Sequence, residues 1–164
     1  DTIIGNGGDD IVRIAETVSA ADTITMSLSS GDTTTISGFA FNTDILDLDA
    51  TPASGASAAN TILQAATVAA GDTSTEIAAN GVVVIAAETT TAAVLTALQA
   101  GDFDTVANVR YFLYDTGSEV VLAQAVNADT DNDNDVTLTE FATFTDITDV
   151  TATTLTVAST IDVI

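Results

Sequence analysis

The chain of 164 residues carries two arginines (Arg13 and Arg110), no lysine and no histidine against 24 Asp and Glu, a formal net charge of −22. That balance excludes nucleic acid and anionic membrane as partners, because binding phosphate needs Lys/Arg contacts and the counterions they release. The absence of Cys, His and Lys also excludes disulfides, thiolate and imidazole metal sites, Ser-His-Asp triads and Schiff-base chemistry.

The first stretch reads Asp1-Thr-Ile3-Ile-Gly5-Asn-Gly7-Gly8-Asp-Asp10-Ile-Val12, so Asp1 and Asp10 stand nine residues apart with Ile3 and Val12 in the same register. A nine-residue period of Gly, Asp and an aliphatic is the mark of a parallel β-roll. A plain glycine-rich hairpin turn is the alternative. Thr23 to Ser29 alternates Ile24, Met26 and Leu28 with Thr and Ser, which predicts a half-buried strand. Ile36, Phe39, Asp44, Leu46, Asp47 and Leu48 follow in the order I-x-x-F-x-x-x-x-D-x-L-D-L.

These two segments resemble the RTX (repeats-in-toxin) calcium-binding exoproteins, whose repeat is G-G-x-G-x-D-x-U-x. Gly5, Gly8, Asp10 and Val12 match it, and Asn6 replaces the second Gly, which Asn tolerates because it enters left-handed backbone more readily than most residues. The resemblance implies Ca²⁺ held by the Gly5–Gly8 turn with Asp1 and Asp10, and a segment at 36–48 that closes the roll.

Pro52, Ser54, Gly55 and Ser57 read as a loop. Ala58 to Ala69 predicts a short helix, Val82 to Ile85 a buried strand, and Thr90 to Ala100 a second helix stopped by Gly101. Val109 to Tyr114 and Glu119 to Val126 predict a hairpin around Asp115-Thr-Gly117-Ser118, with Tyr111, Phe112 and Tyr114 as strand aromatics rather than a ligand cleft.

Asp129, Asp131, Asp133, Asp135 and Glu140 fall at positions 1, 3, 5, 7 and 12 of an EF-hand calcium loop, with Val136 at position 8 as its anchor. Three side chains, one main-chain carbonyl (Asp135) and a bidentate Glu140 would supply about six oxygens, within the six to eight that Ca²⁺ takes. Asn134 stands where the turn prefers Gly. The flanks are β-branched, so the loop is expected on a β framework without an entering helix. A solvated acidic loop is the plain alternative. The tail alternates at Leu155 and Val157, predicting a last strand, and its end, Thr160-Ile-Asp162-Val163-Ile164, resembles a type I secretion signal.

With 46% hydrophobic residues the chain can bury a core, and divalent cations are the natural means of neutralising its self-repulsion. No apolar run nears the roughly 20 residues of a membrane span. The N-terminus has neither initiator Met nor a signal segment, so a processed product, a fragment or part of something longer is expected. The expected architecture is mainly β: a short RTX-like roll over 1–50, then a β-rich domain over 51–164 with two short helices.

The expected function is that of an extracellular, Ca²⁺-dependent structural protein, not an enzyme. It would join copies of itself head to tail in a surface layer, sheath or filament, with cell-surface polysaccharide or matrix as a further partner. The C-terminal secretion and calcium-folding module of a larger adhesin or exoenzyme is the second reading. An acid-pair glycosidase is the third, against which stand 5% aromatics and no Trp.

Overall fold

A computed structural model describes residues 1–16, 20–27, 31–41, 43–49, 64–67, 82–85, 90–100, 108–127, 135–147 and 161–163. The elements in chain order are β1 (Thr2–Ile4), β2 (Ile11–Arg13), β3 (Thr23–Ser27), β4 (Thr34–Ser37), β5 (Ile45–Asp49), β6 (Gln64–Thr67), β7 (Val82–Ile85), α1 (Thr91–Ala100), β8 (Asn108–Asp115), β9 (Val120–Asn127), β10 (Thr137–Phe144) and β11 (Ile161–Val163). The fold is mainly β. One sheet, sheet A, runs β1-β3-β5-β11, and the other, sheet B, runs β2-β4-β10-β9-β8-β7-β6.

The first five strands alternate between the sheets, odd strands in A and even strands in B, and neighbours within each sheet are parallel. A chain that winds so is a parallel roll. Ile3 stands beside Ile24 and Ile24 beside Leu46, so a coil spans 21 and then 22 residues in sheet A. In sheet B, Val12 stands beside Ile36, 24 residues on. The nine-residue spacing of Ile3 and Val12 is therefore half a coil. It does not recur: a strict nonapeptide roll would close in eighteen residues, and the half-turns here lengthen after Val12.

Alternation decides what the roll buries. Val12, Ile24, Met26, Ile36, Leu46 and Leu48 face the space between the sheets and are nearly or fully buried. The segment 36–48 does not end the stack. β5 is flanked by β11 in parallel register, Leu46 beside Ile161, and β4 is flanked by β10, Ile36 beside Phe144. Strands from residues 1–50 and from 51–164 thus share both sheets and one interior. Phe39, Phe41 and Phe144 meet there with ring centroids 4.9–5.2 Å apart.

The expected hairpin forms as β8 and β9, antiparallel, with Tyr111 opposite Gln124. Its turn is closed by Thr116 N–H donating to Glu119 O at 2.9 Å, and Gly117 takes the positive φ of 86° it requires. Tyr111 and Leu113 face the inter-sheet core, whereas Phe112 and Tyr114 face α1. All four are buried, so these aromatics are structural. α1 starts where the sequence predicts: Thr90 caps it, accepting the Ala93 N–H on Oγ1 at 3.1 Å. Val94 and Leu98 seal the outer side of sheet B with Val121, Ala123 and Val136.

A bulge between Glu140 and Ala142 resets the alternation of β10. Before it, Val136 and Leu138 belong to the α1 side; after it, Ala142 and Phe144 join the inter-sheet core with Phe141.

The helix expected over 58–69 is corrected at Gln64–Thr67, which is strand β6, parallel to β7. Alanine favours helix by fractions of a kcal/mol per residue, and main-chain pairing along the edge of β7 outweighs that preference. The rest of 58–69 lies outside the described residues.

The carboxylate ladders and the candidate calcium sites

Each coil enters sheet A on an aspartate: Asp1 before β1, Asp22 before β3, Asp44 before β5. Asp44 Oδ1 accepts the N–H of Asp22 at 3.1 Å, and its Oδ2 accepts the N–H of Ala40 at 2.8 Å. Asp22 Oδ1 in turn accepts from the amino group of Asp1. Asp22 and Asp44 are 5% and 3% exposed, so each carboxylate replaces lost water with nitrogen donors, Asp22 with one from the adjoining coil and Asp44 with one from that coil and one from the turn before its own strand. Sequence reasoning missed this ladder. Its signal was present as Asp-Thr-Ile at 1 and 22 and Asp-Ile-Leu at 44, a period of 21–22 residues rather than nine.

A second ladder lies at the other ends of the strands. Asp32 Oδ2 accepts the Gly8 N–H at 2.9 Å, and Asp9 Oδ1 accepts the Thr33 N–H at 2.9 Å, so neighbouring turns exchange carboxylate–amide bonds. Gly8 and Gly31 occupy equivalent places with φ of 101° and 100°. Asn6 enters left-handed backbone at φ 59°, as its tolerance for that region allows.

The structure brings Gly5, Gly8 and Asp10 together in the turn between β1 and β2. Asp10 Oδ2 lies 2.7 Å from where a side chain on Gly5 would begin, so a larger residue there would push the Asp10 carboxylate aside. Asp1 is not among them. It lies at the opposite end of β1, roughly 13 Å from Gly5 at about 3.3 Å per residue, and serves the first ladder.

On sheet A, Asp47 Oδ2 accepts from Thr25 Oγ1 at 3.3 Å, while Asp47 Oδ1 is buried with no hydrogen-bond partner. Its register neighbour on β11 is Asp162, within the terminal segment compared with a secretion signal.

Of the EF-like loop, Asp129, Asp131 and Asp133 lie outside the described residues. The frame is described on both sides, β9 ending at Asn127 and β10 beginning at Thr137, which pairs with Val126. The loop is thus carried by two antiparallel strands, as the β-branched flanks imply. Val136 is 3% exposed and packs in the α1-side core. Asp135 is half-buried beside it. Glu140 sits three residues inside β10, opposite Ala123. Its Oε1 accepts from Thr91 Oγ1 at the start of α1 and from the Tyr114 hydroxyl at 3.3 Å. Burial raises the Tyr114 pKa, and the nearby Glu140 charge raises it further; burial raises that of Tyr111 too.

Among the described residues no three Asp or Glu converge closely enough to hold a metal ion. No helix among them is long and apolar enough to cross a membrane. Comparisons of the chain with protein-family models, with curated proteins and with solved structures return no match.

Proposed function

We propose that this chain is a secreted, calcium-binding structural protein that assembles with copies of itself into a surface layer, sheath or filament. The observation that carries the reading is the stacking of aspartates in rows, Asp22 over Asp44 and Asp9 beside Asp32, within a chain of net charge −22. Such a stack repels itself, and each added coil or neighbour adds to the repulsion. Divalent cations shared by carboxylates relieve it. The acidic loop between β9 and β10 is the place this reading assigns to Ca²⁺: Val136 beside it is buried, Asp135 precedes β10 and Glu140 stands on it.

Particle size by light scattering, with millimolar Ca²⁺ and then with excess chelator, tests the reading. Assemblies should grow with calcium and dissolve on chelation. Particles indifferent to both would sink it. By calorimetric titration Asp131→Ala and Glu140→Gln should weaken calcium binding by roughly 10–100-fold, the equivalent of about 1.5–3 kcal/mol for a contact to a charged group. Unchanged calorimetric titrations of both variants would remove the loop from the proposal.

The second reading is a calcium-folding C-terminal module of a larger adhesin or exoenzyme. It is favoured by the parallel winding of β1 to β5, since stacked coils of this kind add to one another in longer rolls.

A further inference from the structure

We propose that the β1–β2 end of the roll is a self-recognition surface on which a second copy of this chain pairs head to head about a two-fold axis. The inference rests on the self-association proposed above and names its contact. Among the described residues, β1 pairs with β3 alone and β2 with β4 alone. Thr23 N–H donates to Asp1 O at 2.8 Å and Gly5 N–H to Thr25 O at 3.1 Å, so the odd residues of β1 serve β3. Alternate residues in a parallel pair aim their main-chain groups the other way. The N–H and C=O of Thr2 and Ile4 therefore line the edge of β1 that carries no strand among the described residues. On β2, Asp10 O receives the Thr35 N–H at 2.8 Å and Ile14 N–H donates to Ser37 O at 2.9 Å, leaving Ile11 and Arg13 to face outwards. Two open edges at one end form a template for strand addition.

Side chains mark the same end. Ile4 and Ile11, 62% and 83% exposed, are the exposed large hydrophobics among the described residues. One coil further in, the same register positions hold Thr25 and Thr35. Arg13, one of the chain's two cations, stands exposed on β2, just past Asp9 and Asp10.

A two-fold axis through both sheets lays β1 antiparallel to the other β1, and β2 antiparallel to the other β2, closing both edges at once. With β2 centred on Val12, Ile11 of one copy covers the aliphatic stem of Arg13 of the other. The guanidinium then points toward the partner copy's Asp9 and Asp10, an attraction in an otherwise self-repelling molecule.

Head-to-tail contact lacks this match. Among the described residues sheet A ends at β11, three strands from β1, and sheet B at β6, six strands from β2. At about 4.8 Å per strand those edges lie at roughly 14 and 29 Å. An isologous contact closes as a dimer, so any larger assembly would be built from dimers.

Sedimentation velocity of the 164-residue chain, with calcium and with chelator, tests the contact. The unaltered chain should sediment as a dimer. Ile4→Pro removes an N–H of the open edge while sparing the β1–β3 bonds, and Arg13→Glu reverses the charge; both should be monomers with unchanged circular dichroism and melting. A spin label on Thr2→Cys should show dipolar broadening when copies meet head to head. Assembly retained in both folded variants, or no broadening, overturns the contact while self-assembly stands. A dimer in chelator that both variants lose supports the contact while calcium dependence fails. A monomer throughout overturns both.

Discussion

The aspartates of this chain do two kinds of work, and their hydrogen bonds tell them apart. Asp44, with both oxygens on buried main-chain donors, is a structural carboxylate. Asp44→Ala should cost about 2–4 kcal/mol in urea unfolding, since each buried donor left without a partner costs about 1–3 kcal/mol. Asp44→Asn keeps one acceptor and should cost less. Asp47 differs: one oxygen is buried without a partner, and Asp162 is its register neighbour. Like charges on neighbouring strands cost about 0.2–1 kcal/mol, so Asp47→Asn should raise calcium-free stability by about that much. A loss of stability in chelator would show that Asp47 holds something the hydrogen bonds do not reveal.

At the scale of elements, the turns rather than the strands are the least tolerant parts. Gly38 has φ 78°, and a side chain there would begin 2.1 Å from the Ile14 carbonyl oxygen, main chain that cannot move aside. Gly38→Ala should prevent folding or lower the melting temperature severely. Gly8 shares the left-handed conformation but has open space around it. Gly8→Asn should therefore cost no more than about 1–3 kcal/mol, the price of the backbone strain alone. The α1 latch of Thr91, Tyr114 and Glu140 was not legible in the sequence, because its three members lie 23 to 49 residues apart and only the pairing of β8, β9 and β10 brings them together.

For the whole molecule, charge sets how stability responds to conditions. At −22, the calcium-free chain should gain a few degrees of melting temperature as salt is raised and screening shortens the reach of repulsion. Alkali acts through the buried tyrosines. Because Tyr111 and Tyr114 have folded-state pKa values above the ordinary 10, the unfolded chain loses those protons first. Stability is then unaffected below about pH 10 and falls above it, by about 1.4 kcal/mol per pH unit for each tyrosine. Tyr111→Phe should reduce that slope in alkaline unfolding, and an unchanged slope would show that Tyr111 already ionises freely.

The sequence alone determined the β character, the Ile24–Met26 strand, the β8–β9 hairpin and α1, because each depends on local alternation, turn chemistry or helical spacing. Tertiary structure alone decided the coil length, the strand status of Gln64–Thr67 and the sharing of both sheets by the two halves of the chain. It also decided which aspartates serve as ladder rungs. Those outcomes depend on which strands lie side by side, and a parallel roll makes its neighbours from residues a whole coil apart, beyond the reach of any local pattern.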